Sequence, residues 1–169
     1  MKHLKNLLVA ATVLILSNVS VNAQSKVAHI NTQELVEAMP DMKNAKSELE
    51  KLAKTYETDI QAMATELQNK IKQYDAESSS KTQEENGKRL QEVQGMEQSI
   101  RQYQAQAQQD LQKKEIELLQ PITEKAKDAI LKVGNSQGFD YVLDSSQGQG
   151  VIMANGKDLL ADVKAELGF

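Results

Sequence analysis

The sequence of 169 residues has no cysteine and no tryptophan, and it contains only two prolines, two phenylalanines and four tyrosines. The absence of cysteine excludes disulfide bonds and zinc sites built on thiolates, so the protein needs no oxidative folding. The few aromatic side chains offer no stacking platform for single-stranded nucleic acid. Such a composition favours long exposed helices over a large single core.

The N-terminal segment has the pattern of a secretory signal peptide. Lys2 and Lys5 give it a positive start, residues 7–16 are almost entirely apolar, and residues 21–23 form a cleavage site before Gln24. A membrane-spanning helix needs about 20 apolar residues, roughly twice the length of this run. We therefore expect a cleaved signal peptide over residues 1–23, with an uncleaved signal anchor as the alternative.

The exported chain is acidic. Removing Lys2 and Lys5 with the signal peptide leaves 18 of the 20 basic side chains against 24 acidic ones, a net charge of −6. Proteins that bind nucleic acid without sequence preference use basic surface to release counterions from the phosphates. Nucleic acid is therefore not an expected partner.

Residues 42–133 consist mostly of Ala, Glu, Gln, Lys and Leu and contain two narrow apolar stripes. The first stripe is Met42, Ala45, Leu49, Leu52, Tyr56, Ile60, Met63, Leu67, Ile71 and Tyr74. Its mean spacing of about 3.56 residues is close to the helical period and to a coiled-coil seam. The second stripe is Leu90, Val93, Met96, Ile100, Tyr103, Ala107 and Leu111, resuming at Leu118, Ile122, Ala126, Ile130 and Val133. Two such stripes in succession predict a long antiparallel coiled-coil hairpin.

The turn of this hairpin is expected within residues 78–87, where the apolar stripe stops. The serines of Ser78–Ser80 favour local hydrogen bonds to the backbone, and Gly87 costs a helix about 1 kcal/mol relative to alanine. Pro121 removes one hydrogen bond inside the returning helix, which predicts a kink or, alternatively, a break between two helices. Residues 134 and 135 are expected to end the helix.

The segment before the hairpin predicts a strand and a short helix. Residues 26–30 alternate polar and apolar side chains, as a half-buried strand does. Asn31 and Glu34 form a plausible capping box for the helix that follows. Pro40 is expected to end this helix and Asp41 to cap the next one.

The segment after the hairpin predicts two strands and a final helix. Residues 139–144 and 151–154 are expected to form strands joined as a hairpin, and residues 155–156 a turn. Residues 159–167 show the pattern of an amphipathic helix. The predicted fold is therefore mainly α with a small β part: residues 24–41 and 134–169 form a body, and residues 42–133 form a hairpin arm.

No combination of residues predicts catalysis, a metal site or a cofactor. His29 is the only histidine after the signal peptide and has no partner nearby in the sequence, which favours a structural role over metal binding. Gly148 and Gly150 lack the further glycine, the lysine and the helix of a phosphate-binding loop. The acidic residues at 84–85 and at 140 and 144 are interpreted as surface charge. We expect no enzyme activity.

The order of these segments resembles the Skp/OmpH-like family of periplasmic chaperones. The resemblance is carried by Lys-Val-Ala-His-Ile-Asn at 26–31, Phe-Asp-Tyr-Val-Leu-Asp at 139–144 and Asp-Leu-Leu-Ala-Asp-Val at 158–163. It covers essentially the whole exported chain. The family implies a periplasmic homotrimer in which three subunits pool their strands into one β body. Three arms hang from that body around a cavity that shelters unfolded outer-membrane proteins without ATP, and a peripheral membrane contact is left open.

The resemblance also assigns expected roles to residues. The oligomer body would comprise Val27, Ile30, Tyr141, Val142, Leu143, Val151 and Ile152. The arm would contact clients through Met63, Leu67, Ile71, Tyr74, Val93, Met96 and Ile100. The tip would comprise Ser78, Ser79, Ser80, Lys81, Gly87, Lys88 and Arg89.

The acidic charge departs from the best-known members of that family, which are basic and attract acidic clients. We therefore expect hydrophobic and polar contacts to hold the client, with weak dependence on salt, and the acidic charge leaves lipopolysaccharide binding open. The alternative function is a coiled-coil spacer or scaffold of the envelope. Such a protein would also be extended and oligomeric, but it would not slow the aggregation of an unfolded protein.

Overall fold

The computed structural model describes residues 25–169, so the expected signal peptide lies outside the described residues. The elements are β1 (Val27–Ile30), α1 (Thr32–Ala38), α2 (Pro40–Glu77), a 3₁₀ turn (Ser78–Ser80), α3 (Gln83–Ser136), β2 (Tyr141–Asp144), β3 (Lys157–Asp158) and α4 (Leu160–Leu167). This confirms a mainly helical chain with a long hairpin and a small β part. Within the described range, none of the helices combines the length and hydrophobicity that a membrane crossing requires.

The arm, residues 42–133, is an antiparallel pair of helices. α2 has 38 residues and α3 has 54, which at 1.5 Å per residue gives lengths of about 57 Å and about 81 Å. Both apolar stripes face the seam between the helices, because nearly all of their members are buried or half-buried. Leu90 is the clearest exception, with 59% of its surface exposed.

The turn of the hairpin is shorter than predicted. Only residues 78–82 separate the two helices, because Thr82 caps α3. The Thr82 hydroxyl accepts a hydrogen bond from the Glu85 N–H (3.2 Å), and the Glu85 carboxylate accepts one from the Thr82 N–H (2.9 Å). Gly87 therefore lies inside α3 and not in the turn. α3 also continues through Pro121, so the alternative of two separate helices is wrong.

α3 extends to Ser136, so the prediction that residues 134 and 135 end it is wrong. The helix ends because Gly138 takes a left-handed φ of 72°, which glycine adopts without steric cost. Gly134 serves close packing instead: a Cβ at this position would lie 3.0 Å from Cγ2 of Val142 on β2. This close approach holds the end of α3 against the sheet.

The three strands form one parallel sheet in the order β2–β1–β3. The predicted strand over residues 151–154 and its hairpin with β2 are wrong, because Lys157 and Asp158 supply the third strand. The physical reason is that the central strand β1 offers backbone groups on both of its edges. The Leu159 N–H continues this pairing by donating to the His29 carbonyl (3.0 Å). β1 thereby joins two segments that follow the arm in the sequence.

The boundary between α1 and α2 agrees with the prediction in part. Asn31 caps α1, since its side chain accepts a hydrogen bond from the Glu34 N–H at 2.9 Å, but the reciprocal bond from the Asn31 N–H to the Glu34 carboxylate that the predicted capping box requires is absent. The Glu34 carboxylate pairs with Lys164 of α4 (3.3 Å). Pro40 ends α1 as predicted, because the residue before it, Met39, is extended with a ψ of 133° and α1 stops at Ala38. Pro40 is also the first residue of α2, where its missing N–H costs no hydrogen bond. Asp41 lies in the first turn of α2 and is not its cap.

The helices cover only one face of the sheet. Ala28 and Ile30 of β1 point to that face and are buried. The core consists of Ala28, Ile30, Leu35, Met39, Ala45, Ile122, Ala126, Ala129, Val133, Leu159 and Val163. The base of the arm thus shares a core with the body, which fixes the direction in which the arm leaves it.

Polar contacts tie the end of β2 to the start of α1. Ser146 is buried, and its hydroxyl bonds to the side chains of Asp144 (2.6 Å) and Asn31 (3.0 Å). The Thr32 hydroxyl donates to the Asp144 carboxylate at 2.5 Å. Burial alone would raise the pKa of Asp144, but the hydrogen bonds from Ser146 and Thr32 outweigh it and lower the pKa. The carboxylate is therefore ionised throughout the neutral and mildly acidic range.

The close approach at Gly134 predicts a position-specific effect of enlarging a glycine. Gly134→Leu should lower the free energy of unfolding by about 1–3 kcal/mol, because the side chain has to displace Val142 from a packed core. Gly87→Leu is the matched control: it lies in the same helix with nothing within 4 Å of a Cβ, and it should raise stability by up to about 1 kcal/mol. Urea denaturation at one fixed protein concentration measures both. Equal effects of the two substitutions would contradict the packing role.

Candidate functional site

The seven predicted client-binding residues all lie along the seam of the arm. Met63, Leu67, Tyr74, Val93, Met96 and Ile100 are half-buried between α2 and α3. Ile71 is the most open of the set, with 36% of its surface exposed. Their inner surfaces hold the two helices together, and only their outer edges reach solvent. Any role in client binding therefore depends on the rims of the seam and the polar side chains beside it.

Two tyrosines connect the helices in the middle of the arm. The rings of Tyr56 and Tyr103 meet edge to face, with centroids 5.8 Å apart. Each hydroxyl crosses the seam, Tyr56 donating to Asp110 (3.0 Å) and Tyr103 to Asp59 (2.7 Å). The hydrogen bond to Asp59 and partial burial raise the pKa of Tyr103 to about 12, so it remains a donor at neutral pH. These contacts fix the register of the hairpin.

A second polar cluster holds the helices together close to the tip. Lys70 and Tyr74 of α2 both bond to the carboxylate of Glu92 on α3, with Lys70 Nζ 2.7 Å from it. The hydrogen bond to Glu92 raises the pKa of Lys70. Arg89 pairs with Glu77 and places its guanidinium carbon 4.5 Å from the centre of the Tyr74 ring. Near the tip, where the apolar stripes end, charged pairs and a cation–π contact thus hold α2 and α3 together.

The predicted tip residues are mostly engaged with neighbours. The hydroxyls of Ser78 and Ser80 donate to the carbonyls of Asp75 (2.8 Å) and Glu77 (2.7 Å), while Ser79 is exposed. The three basic side chains there have acidic partners: Lys81 with Glu85, Lys88 with Glu84 and Arg89 with Glu77. The positive cluster that the sequence indicates is therefore neutralised locally.

The predicted body residues divide between the two faces of the sheet. Ile30 is buried and Val142 half-buried against the helices of the same subunit, so they belong to its own core. Val27, Tyr141 and Leu143 point the opposite way, with 43%, 60% and 45% of their surfaces exposed. We call this second surface the open face. It places three large apolar side chains side by side in solvent.

The segment after the loop adds to the open face without being a strand. Ile152 is fully exposed, and Met153 has 76% of its surface exposed. A cleft of about 190 Å³ lies between this segment and the open face, and it is lined in part by Val27, Leu143 and Val151. Met153 was not among the predicted body residues, although its position beside Ile152 in an apolar run was a usable signal.

Chemistry-bearing groups are sparse in the described part of the chain. Across residues 25–169 there is no group of three or more histidine, aspartate or glutamate side chains placed to hold a metal ion. His29 lies on the open face, with Nδ1 3.3 Å from the Ser145 hydroxyl.

Comparison with known proteins identifies the family. The sequence model described as outer membrane protein (OmpH-like) matches residues 26–167, nearly the whole described chain. The chain belongs to the OmpH-like family. The matched range includes both segments that build the sheet and the complete arm, so the OmpH-like assignment covers the whole fold.

Individual OmpH-like relatives agree with this assignment. The Chaperone protein Skp of Pectobacterium atrosepticum is 25% identical over 147 residues, covering 87% of this chain and 88% of the relative. The Chaperone protein Skp of Photorhabdus laumondii is 29% identical over 145 residues, covering 85% and 88%. The crystal structure of an OmpH-like outer membrane chaperone from Caulobacter crescentus has the same fold, with a TM-score of 0.77 at 19% identity over 86% of this chain and 85% of that one.

The cluster near the tip predicts a local effect of removing Arg89. Arg89→Ala should speed amide hydrogen exchange in residues 70–92 roughly twofold to fivefold or more, because it removes a largely buried cation–π contact together with the ion pair to Glu77. Lys88→Ala is the matched control, because it removes the same charge from a side chain that reaches only Glu84 on its own helix. Mass spectrometry of exchange along the chain measures both. Faster exchange in the control, or no change in Arg89→Ala, would contradict the contact's role.

Proposed function

We propose that this protein is an ATP-independent holdase of the periplasm, which binds unfolded outer-membrane proteins and prevents their aggregation. It acts as a homotrimer, with three arms around a shared space. The proposal takes its client class from the chaperones that the chain resembles over nearly its full length. Binding alone suffices for this function, so no catalytic residue is required.

The observation that carries the proposal is the shape of the arm. α3 has 54 residues, yet most of it packs only on α2 along a narrow seam. The outer faces of both helices are therefore left to solvent over tens of ångströms. A surface of this kind suits many weak contacts with an extended chain better than one enclosed ligand.

The charge distribution of the arm supports a grip that does not depend on net charge. Residues 42–133 carry 15 basic and 16 acidic side chains, so the acidity of the exported chain belongs almost entirely to the body. Cross-helix pairs such as Lys70–Glu92 and Arg89–Glu77 balance many of these charges. The arm meets a client as a nearly neutral surface of seam rims and polar side chains.

The open face supports the trimer. Parallel sheets are normally covered on both faces, and here one face of Val27, Tyr141 and Leu143 is bare. Contiguous exposed apolar surface on a soluble protein marks an interaction site. Three copies that place their open faces together would bury these side chains and the adjoining Ile152.

Aggregation of a denatured client tests the proposed function. An outer-membrane β-barrel protein diluted from urea should scatter less light when the protein is present at a molar excess of trimer. The same suppression is expected at about 0.1 M and about 1 M salt, although the Debye length falls from about 10 Å to about 3 Å. Suppression that disappears at high salt would contradict the neutral grip. No suppression of aggregation at either salt concentration would favour the alternative function, a coiled-coil spacer or scaffold.

A charge on the open face should dissociate the trimer. Leu143→Glu should raise the dissociation constant roughly a hundredfold or more, because a buried unpaired carboxylate costs several kcal/mol. Gln147→Glu, which adds the same charge in an exposed loop of the body, is the matched control and should leave it unchanged. Sedimentation equilibrium measures the mass. A trimer that persists in Leu143→Glu would exclude the open face as the interface.

A further inference from the structure

A histidine lies in the middle of the open face. His29 follows Val27 by two positions on β1, so both side chains point to the same side of the sheet. In the parallel register it stands beside Leu143 of β2 and Asp158 of β3. It also lines the cleft that includes Met153. The one imidazole after the signal peptide is thus surrounded by the apolar surface that the proposed trimer buries.

The neighbours of His29 favour its neutral form once water is excluded. Nδ1 is 3.3 Å from the hydroxyl of Ser145, a partner that a neutral imidazole satisfies. A Cβ on Gly156 would lie 3.9 Å from His29 Cδ2, and residues 151–156 contain no charged side chain. On β2, Leu143 is apolar and Tyr141 carries a phenol, which is uncharged at neutral pH.

One carboxylate stands near enough in the sheet to oppose this preference. Asp158, in register with His29, has its carboxylate at the start of α4, where it accepts a hydrogen bond from the Leu160 N–H (2.9 Å). The other charged residue of β3, Lys157, is in register with Ala28 and pairs with Asp162 (2.9 Å). Asp158 is exposed on the edge strand and bonds to Leu160 instead of His29, so a protonated His29 covered in the interface would lack a bonded counter-ion, which costs far more than covering a neutral imidazole. The neutral imidazole is therefore the form that enters the interface at lower cost.

We infer that His29 makes assembly of the open face sensitive to pH, so that the trimer is tight near neutral pH and loosens in mild acid. The inference rests on the proposed trimer and adds its regulation. Histidine is the residue type that changes charge between about pH 5 and 8. A protonated imidazole adds a positive charge to the apolar part of the open face, and a neutral imidazole does not.

Symmetry multiplies the effect. Each subunit contributes its own His29, so three protons have to be released when three protonated chains assemble. If an ordinary imidazole must be neutral in the interface, a fall from about pH 7.5 to about pH 5.5 weakens assembly about tenfold per subunit. For a trimer this is about a thousandfold in the overall dissociation constant. The carboxylate of Asp144, whose pKa is lowered, keeps its charge across this interval.

Sedimentation equilibrium of the exported protein tests the inference. The dissociation constant is measured at about pH 7.5 and about pH 5.5, on either side of the ordinary histidine midpoint, at constant ionic strength. The wild type should weaken by a factor of hundreds or more. His29→Gln, which keeps a polar side chain opposite Ser145 and cannot become charged, should lose most of this pH dependence.

Asp158→Asn supplies an independent variant. Asparagine retains a side-chain oxygen for the Leu160 N–H, so α4 keeps its start while the carboxylate beside His29 is removed. The pH dependence of assembly should then be at least as steep as in the wild type. A flatter dependence would mean that protonation of Asp158, and not of His29, loosens the wild-type trimer in acid, and it would overturn the inference.

The outcomes separate the switch from the function on which it rests. A trimer at both pH values with equal constants, or equal pH dependence in wild type and His29→Gln, would overturn the switch and leave the holdase proposal standing. A monomer at about pH 7.5 at every concentration would overturn the trimer and the switch together. Client aggregation measured at the same neutral pH reports on the holdase activity by itself, without reference to His29.

Discussion

A parallel sheet with only one covered face is the constraint on which the rest of this structure depends. α1, α4 and the base of the arm bury Ala28 and Ile30 on one side, which leaves Val27, Tyr141 and Leu143 in water on the other. Strands of two to four residues cannot supply a second layer from within the chain. Other copies of the chain, as in the proposed trimer, would cover the open face without further structure from this one.

The arm satisfies a different requirement, because it closes its own seam. Its cross-helix contacts keep one antiparallel register from the base to the tip, as in Lys114–Glu48, Tyr103–Asp59 and Arg89–Glu77. A hairpin stabilised in this way needs no partner to remain extended. In the proposed function, the body is therefore the part that assembles and the arm is the part left free to bind.

Much of the fold could be predicted because helical periodicity is a local property. The two stripes identified both helices, and Asn31 marked the start of α1. The strand expected over 151–154 was wrong because β propensity does not say which edge a segment will pair with, and β1 preferred Lys157–Asp158. Gly134 was misread as a stop because its close packing on Val142 involves a residue that arrives only on folding. For the candidate site, the sequence correctly predicted which residues belong to the stripes. It could not predict that they are half-buried, because their burial depends on how the two helices pair.

The sequence by itself determined the long helices, their return and the family, since these follow from side-chain spacing and from short segments at either end. Only the tertiary structure decided which face of the sheet is bare, because a strand's alternation defines two faces without saying which one the helices will cover. It also decided where His29 stands. From the sequence, His29 was interpreted as a structural residue of a strand. The parallel register of β1 with β2 and β3 places its side chain at the centre of the open face.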